Sequence, residues 1–457
     1  MSLTHNLSLR HLTDVEERVA HYRSVAAPDA VNLSTAENVL LFDFYQAHLF
    51  DAARPFTAGD LRYPPKFYGS DAFRSSWAGF LNQAWGHGDL LTAQDVFAVG
   101  GTSAALECLA FILGTPGDVA ISPAPLWYGF PWSFAQRPRV SFVPFDLLEK
   151  GIDKFELTLE DVKRACLSVQ PQPKFLVLTN PRNPLGGNYS PETLNAIYKW
   201  VLEETRMHII SDEIYFFSQV GGGEPFVPAF ALDAVREAGE DGRERVHAVW
   251  GLAKDFGMSG FKVGFVISRN QKVHALMSGD ASLRTMAWFT PFDSLKYRTL
   301  APLFLDGDGL PDPALAQQAM QLYAGPEASS LLGTQYAATR EALASARLKF
   351  LDHNSSAIFF WLDLREFLDR VPPPDGSERQ ALHKALHPDI DPREERLSEY
   401  ITASSGVSLI PGQECFSREP GFFRMCYTAE PKDRVVKGIE RMGRSLHALL
   451  TPQRVSA

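Results

Sequence analysis

The chain has 457 residues, 45% of them hydrophobic, and its 54 acids outnumber its 44 bases for a net charge of -10. That length is ample for a large core in roughly two or three domains, and the acidic balance disfavours a nucleic-acid or anionic-membrane surface. No uncharged run approaches the roughly 20 residues that a membrane span needs, and no secretory signal is visible near the amino end.

The cysteines, Cys108, Cys166, Cys415 and Cys426, are widely spaced and form no CxxC pair. They read as free thiols in a reducing compartment, with a cytoplasmic location and no metal site expected. Residues 1–30 read as a helical arm, with Asp14, Glu16, Glu17 and Arg18 among scattered apolar positions. The stretch Val31-Asn-Leu-Ser-Thr-Ala-Glu-Asn38 begins extended and ends in a polar turn, which by itself leaves Glu37 solvated. Pro64-Pro65 gives an extended entry to a helix through Phe73, Trp77 and Phe80, capped by Ser70 or Asp71.

From about residue 95 the pattern is strand–helix alternation. Short apolar runs recur at Asp95–Val99, Val119–Ile121, Val140–Val143, Phe175–Leu178, His208–Ile210 and Val246–Trp250, most of them separated by helical stretches. Such alternation indicates βα units and a mostly parallel, buried sheet. Sites in these sheets lie at the carboxyl ends of the strands. Gly100-Gly101-Thr102-Ser103 follows the first run and opens a helix. Its backbone N–H groups and positive dipole end suit a phosphate, although the motif is neither GxGxxG nor a P-loop, and a helix capped by Thr102 or Ser103 explains it equally.

Polar punctuation follows three of the later runs. In Leu178-Thr-Asn-Pro-Arg-Asn-Pro-Leu-Gly-Gly187, two Asn-Pro steps hold two amides rigidly after a strand. In His208-Ile-Ile-Ser-Asp-Glu-Ile-Tyr215, an acid pair ends a strand. Asp212 there needs a positive partner to stay ionised; Asp212 and Tyr215 could face one pocket, and Glu213 either faces solvent or caps the next segment. The third is Lys254, flanked by Trp250, Leu252, Phe256 and Phe261. Apolar flanks imply partial burial, which lowers an amine's pKa and lets the neutral form act as a nucleophile. Gly221-Gly222-Gly223 opens no helix and reads as a loop.

The Asn-Pro-x-Asn-Pro loop, Ser-Asp-Glu-Ile-Tyr and Lys-Asp-x-Gly-x-x-Gly-x-Lys-x-Gly occur in that order. Together they resemble the fold-type I pyridoxal 5'-phosphate (PLP) enzymes of the class I/II aminotransferase family. Thr35-Ala-Glu-Asn38, Ile358-Phe-Phe-Trp-Leu-Asp-Leu-Arg365 and the stretch from Pro411 to Cys426 are similar to the 1-aminocyclopropane-1-carboxylate (ACC) synthases and their relatives. The resemblance runs from about residue 30 to 450. It implies that Lys254 holds PLP covalently and later shuttles protons, and that Asp212 pairs with the pyridine nitrogen. It implies that Asn183 and Tyr215 bond the ring's phenolic oxygen, that Gly101, Thr102, Ser103 and Lys262 hold the phosphate, and that Trp127 stacks on the ring. Arg424 would clamp the substrate α-carboxylate, with Glu37 near the substrate side chain and Asn183 beside it.

Two departures touch the phosphate: the family usually has serine where this chain has Gly251 and arginine where it has Lys262. A third touches the dimer, because the family's cross-subunit tyrosine falls at Phe67, leaving Tyr68 one step away as the candidate to face the substrate. The implied architecture is an α/β, aspartate aminotransferase-like fold: a large PLP-binding domain at 50–310 with a mostly parallel sheet, and a smaller α+β domain from 311–457 joined by the arm at 1–49. Residues 371–395, rich in proline and charge, read as a surface excursion. A homodimer with active sites at the interface is expected. Three functions remain open. The first is ACC-synthase-like elimination or γ-replacement on S-adenosylmethionine or a related thioether; the second is transamination. The third is a PLP-domain regulator, which would need a DNA-binding segment upstream.

Overall fold

The computed structural model describes residues 29–50, 55–64, 66–147, 155–278, 292–325, 329–351, 355–371 and 391–450. Residues 1–28 of the predicted amino-terminal arm and residues 372–390 of the predicted excursion at 371–395 lie outside the described residues.

The described chain opens with a two-residue strand, β1 (Val31–Asn32). The six apolar runs then become β2 (Val96–Val99), β3 (Val119–Pro123), β4 (Ser141–Phe145), β5 (Phe175–Thr179), β6 (His208–Asp212) and β7 (Val246–Gly251), and a further strand that the sequence reading did not name follows, β8 (Gly264–Ser268). Every residue of β2, β3, β5, β6, β7 and β8 is buried, as expected for strands covered on both faces. β2 to β8 form one sheet in the order β2-β8-β7-β6-β5-β3-β4. The β3–β4, β3–β5, β5–β6 and β6–β7 pairs are parallel, whereas β8 is antiparallel to both β7 and β2. Only β8 therefore runs against the rest, and the carboxyl ends of β2, β5, β6 and β7 share one edge.

Helices cover this sheet, and their ends are specified locally. The helix α1 (Asp71–Trp85) starts at Ser70, whose hydroxyl accepts from the Phe73 N–H, and stops at Gly86, which adopts φ 68°. α2 (Thr102–Leu113) starts at Gly101 without a side-chain cap. Thr158 and Asp161 form a reciprocal capping box at the start of α3 (Leu159–Ser168), and Ser190 caps α4 (Pro191–Glu204), with proline in its first turn. No helix among the described residues is long and apolar enough to cross a membrane.

A smaller antiparallel sheet forms the carboxyl-terminal part. β9 (Lys349–Phe350), β10 (Phe359–Asp363), β12 (Ile410–Pro411) and β13 (Phe422–Cys426) lie in the order β12-β13-β10-β9. β11 (Val407–Ser408) pairs in parallel with β1, and the Cys426 N–H donates to the Leu33 carbonyl at 2.8 Å. The amino-terminal strand is thus packed into the carboxyl-terminal part. Two helices, α5 (Pro392–Ser405) and α6 (Lys432–Ala448), pack on these strands.

Below the carboxyl edge of the large sheet lies an aromatic cluster. Trp250 stacks on Phe265 at 5.2 Å, Phe265 lies 4.6 Å from Trp77, and Phe256 lies 6.1 Å from Trp250. Trp250 and Phe256 bracket Lys254 in sequence, so the loop that carries the lysine is anchored in the core on both sides.

At the opposite edge, buried His208 and His247 face each other across β6 and β7. His208 Nδ1 lies 3.0 Å from His247 Nε2, and His247 Nδ1 lies 2.8 Å from the Ser268 hydroxyl. Burial, with Lys174, Arg245 and Lys272 nearby and Asp241 opposing them, pushes His208 down to about 4, and burial pushes His247 well down too. A depressed imidazole favours the folded state fully above the unfolded value near 6.5, and that contribution is lost as pH falls from there toward 4. At about 1.4 kcal/mol per unit, His208 alone should remove roughly 3 kcal/mol by pH 4. The buried carboxyls of Glu213 and Glu394, raised to about 8, and of Asp212 and Asp255, raised to about 7, oppose this loss over the same range, and do so equally in the wild type and in a His208 variant. Urea unfolding of the wild type and His208→Gln at pH 6.5 and pH 4 should show the smaller acid loss in the variant. Equal losses would remove His208 from the account.

Candidate active site

Lys254 follows β7 in a turn and is half-buried. Its Nζ donates to the Ala36 carbonyl at 2.6 Å. Burial lowers its pKa, opposed by the negative charge of Glu37. The amine is held beside the Thr-Ala-Glu-Asn turn of the amino-terminal segment. The next residue, Asp255, is buried, and its carboxylate accepts from the Phe217 N–H at 3.1 Å and the Ser218 hydroxyl at 2.6 Å. It ties the lysine turn to the turn after β6.

Asp212 ends β6 and is 4% exposed. Among the described residues its carboxylate has no ion-pair partner; the Ile214 N–H reaches its Oδ1 at 3.4 Å. Burial raises its pKa to about 7, opposed by the Ile214 N–H and by Lys254. No side-chain cation of the described residues lies at ion-pair distance from this buried acid. Glu213 does not face solvent: it is 1% exposed, and its Oε1 accepts from the Ser211 hydroxyl at 2.9 Å and the Ala229 N–H at 2.7 Å. Strand alternation sends these neighbours to opposite faces.

The loop after β5 brings Asn183 to both Tyr215 and Arg424. Asn183 Nδ2 donates to the Tyr215 hydroxyl at 3.3 Å, and Asn183 Oδ1 accepts from Arg424 Nη1 at 3.1 Å. Burial holds the Tyr215 pKa far above its ordinary value, so the phenol keeps its proton. Arg424, on β13, is 1% exposed. Its Nη2 donates to the Ser34 carbonyl at 2.8 Å, and its guanidinium lies 4.7 Å from the Phe359 ring and 6.0 Å from that of Tyr128. Its Nε has no hydrogen-bond partner, and among the described residues no carboxylate pairs with the guanidinium. A cation so buried needs an anion to be compensated, and its planar fork matches a carboxylate.

At the start of α2 the first intrahelical bond runs from the Ala105 N–H to the Gly101 carbonyl. The N–H groups of Thr102, Ser103 and Ala104 have no place in the helix ladder. Gly101 itself adopts φ 100°. The Thr102 hydroxyl oxygen is buried without a partner, whereas Ser103 is exposed. Lys262 is exposed, and its Cδ lies 3.9 Å from where a Cβ on Gly101 would stand. The helix start approaches the sheet because Gly264 has no side chain: a Cβ there would lie 2.6 Å from the Thr102 nitrogen.

Lys254, Glu37, Asn183, Tyr215 and Arg424 are thus joined by direct contacts or by the Ser34–Asn38 segment, and Asp212 lies close enough for Lys254 to act on its charge. Trp127 is half-buried, with its ring 5.4 Å from Phe130. Tyr68 is buried in the core, its ring 5.8 Å from Phe97 and 4.9 Å from the Arg74 guanidinium. Sequence reasoning missed Tyr128, Phe359, Ser34 and Asn38. Asn38 stood in the quoted Thr-Ala-Glu-Asn motif, but the partners of a backbone carbonyl or an aromatic face leave no sequence signal.

This geometry offers a ligand a buried acid, a buried guanidinium and a half-buried amine, beside helix-start N–H groups of the kind that suit a phosphate. The chain matches the family model described as "Aminotransferase class I and II" over residues 28–441. 1-Aminocyclopropane-1-carboxylate synthase 3 of Oryza sativa subsp. japonica is 28% identical over 92% of this chain and 88% of its own length. A human protein named probable inactive 1-aminocyclopropane-1-carboxylate synthase-like protein 2 is 26% identical, over 88% of this chain and 64% of its own. Among solved structures, aspartate aminotransferase from Thermus thermophilus with maleate superposes at a TM-score of 0.66 with 20% identity, covering 97% of this chain and all of that one (100%). That last likeness concerns the fold alone.

Gly251 generates a test of the site's packing. A Cβ added there would stand 2.7 Å from the Val263 carbonyl oxygen and 2.9 Å from the Gly264 Cα. Gly251→Ser should therefore destabilise the protein by about 1–3 kcal/mol, the usual cost of overpacking. A urea midpoint equal to that of the wild type would show that the β7–β8 edge relaxes freely.

Proposed function

The chain belongs to the aminotransferase class I and II family of PLP-dependent enzymes, and on that premise we propose that it carries out ACC-synthase-like elimination or γ-replacement on an α-amino acid. The substrate we propose is S-adenosylmethionine or a related thioether. The observation that carries this reading is the position of Glu37. Ala36 holds the Lys254 amine through its carbonyl, and the carboxylate of the next residue, Glu37, is close enough for its charge to act on that amine.

The residues present fit PLP. Asp212 is a buried carboxylate without a cation, Thr102 carries a buried unpartnered hydroxyl beside free helix-start N–H groups, and Lys254 offers an amine of lowered pKa. When bound, PLP supplies a conjugated ring that takes up the electron pair released at the substrate Cα.

In this reading Asp212 keeps a proton on the ring nitrogen, and Asn183 and the Tyr215 phenol orient the ring through its phenolic oxygen. The first turn of α2 and Lys262 hold the phosphate; Lys262 is a point charge rather than a guanidinium fork. Trp127 covers a face of the ring. Arg424 binds the substrate α-carboxylate through the guanidinium that now reaches Ser34 and Asn183. Lys254 Nζ takes the proton from Cα, and Glu37 attracts a cationic substituent beyond it. The γ substituent then leaves with the electrons of its bond to carbon, as the electron pair at Cα closes a new Cα–Cγ bond or, in replacement, as an incoming nucleophile takes its place at Cγ.

The first-contact residues serve transamination equally, so that reaction is the runner-up. We place the large domain at residues 50–310, with the arm at 1–49 and residues 311–457 making up the smaller one. Exposed apolar side chains at Phe42, Phe56, Leu61 and Tyr63 support a homodimer. Buried thiols at all four cysteines, none of them in a disulfide, support a reducing, cytoplasmic compartment.

Two measurements test the reading. Borohydride reduction of the purified, PLP-loaded protein should fix the cofactor on Lys254, and Asp212→Ala should lower turnover by roughly a hundredfold or more while the protein stays folded. A label on another lysine, or normal turnover in Asp212→Ala, would overturn these roles.

The second measurement separates the reactions. Incubation with S-adenosylmethionine should release methylthioadenosine without stoichiometric keto acid, and Glu37→Gln should slow this release at least about tenfold while leaving PLP fixation on Lys254 intact. Rapid formation of glutamate from 2-oxoglutarate, with no side-chain cleavage and no effect of Glu37→Gln, would establish the aminotransferase instead.

A further inference from the structure

Asn38 has no role in the reading above, yet it touches the catalytic turn more than any other residue of the amino-terminal segment. It is 4% exposed. Its Nδ2 donates to the carbonyl oxygens of Lys254 at 3.0 Å and Asp255 at 3.1 Å, and its Oδ1 accepts from the Leu40 N–H at 3.1 Å. The two carbonyls belong to the two successive peptides that follow Lys254, and a side-chain amide can satisfy both because one nitrogen carries two hydrogens. The far side of the turn closes on the same residue. Gly257 adopts φ +65°, and a Cβ there would stand 2.3 Å from the Asn38 carbonyl oxygen. The Tyr45 hydroxyl, farther along the segment, donates to the Phe256 carbonyl at 2.7 Å.

The segment that carries Asn38 is also fastened to the strand that carries Arg424. The Val39 N–H donates to the Thr428 carbonyl at 3.1 Å, and the Thr428 hydroxyl donates to the Glu37 carbonyl at 2.6 Å. Arg424 itself donates to the Ser34 carbonyl at 2.8 Å. Residues 33–39 therefore run between β13 and the lysine turn, bonded to both.

We propose that Asn38 is a positioning residue for Lys254, pinning the two successive peptides that follow Lys254 so that the amine is presented at one place relative to Arg424. The four-carbon stem of a lysine is flexible, so a fixed main chain is the way to limit where its nitrogen goes. Condensation with the cofactor aldehyde forms one carbon–nitrogen double bond and expels one water. Its rate depends on that placement, and a displacement of about 1 Å can cost roughly a hundredfold. The inference rests on Lys254 being the residue that binds PLP.

The test uses the full-length apo-protein mixed with PLP. Capture is followed by the visible absorption of the bound cofactor and by borohydride trapping with peptide mapping. The variants are Asn38→Leu, which keeps the size and loses both donors, and Asn38→Ala. Each should capture PLP at least about tenfold more slowly than the wild type. The pH midpoint of the absorption band should move by about half a unit or more, which a loss of stability alone would not cause. The charged and titratable groups facing the amine are Glu37, Cys426, Arg424, Lys262 and Asp212, and neither variant alters them. Gly257→Ala pushes the Asn38 main chain away from the turn from the other side and should give the same signature; it decides the matter if the Asn38 variants do not fold. Wild-type capture rate and midpoint in the folded variants, with the label still on Lys254, would overturn the role of Asn38 alone. A wild-type label on another lysine would overturn both this inference and the functional reading beneath it.

Discussion

Charges kept out of water without an opposite charge in contact are the constraint on which this site depends. Asp212 and Arg424 are almost fully buried, Lys254 is half-buried, and among the described residues none of the three has an ion-pair partner. Dipoles hold them instead: the Ile214 N–H at Asp212, the Ala36 carbonyl at Lys254, and the Ser34 carbonyl and Asn183 amide at Arg424. Each arrangement costs desolvation that a neutral dipole offsets only in part. The same burial that makes each charge costly also makes the site select for a group of opposite charge.

The supports of these charges are as specific as the charges. Asp255, next to the lysine, holds the Phe217 N–H and the Ser218 hydroxyl. Below the lysine turn, Trp250, Phe256, Phe265 and Trp77 form a packed aromatic floor. Such packing fixes the turn on both sides, because close-packed aromatic cores relax little around a displaced neighbour. Glycine does the remaining work by absence. Gly264 lets the start of α2 approach the sheet, and the missing side chain at Gly251 leaves room for the β7–β8 edge. This edge departs from the family pattern, since a hydroxyl usual at position 251 is gone and a buried hydroxyl from Thr102 lies close by.

The architecture was largely legible. Six apolar runs became strands with boundaries moved by one to a few residues, because continuous burial on both faces demands continuous apolar sequence. The ends of the runs were harder to place: β6 and β7 extend to Asp212 and Gly251, where a polar or small residue still keeps its ladder bond to a neighbouring strand. Gly101 rather than Thr102 or Ser103 proved to be the N-cap of α2, which leaves the threonine hydroxyl without its local role. Glu213 was ambiguous in sequence because an acid at a strand end fits solvent or a capping role equally. Its burial followed from the fold of the 229 segment over it.

By itself the sequence determined the α/β class and the family, and it nominated Lys254, Asp212, Asn183 and Arg424 as candidates, since order and spacing along the chain carry that information. Only the tertiary structure decided which of them meet, and through what. Asn183 touches both Tyr215 and Arg424, Ala36 holds Lys254 across 218 positions, and Ser34 holds Arg424 across 390. It also set Tyr68 among Phe97 and Arg74 in the core. The reason is physical. A motif records which side chains are available, whereas a backbone carbonyl is the same in every residue. Its partner is chosen only when the sheets have packed and each buried polar group must find a donor.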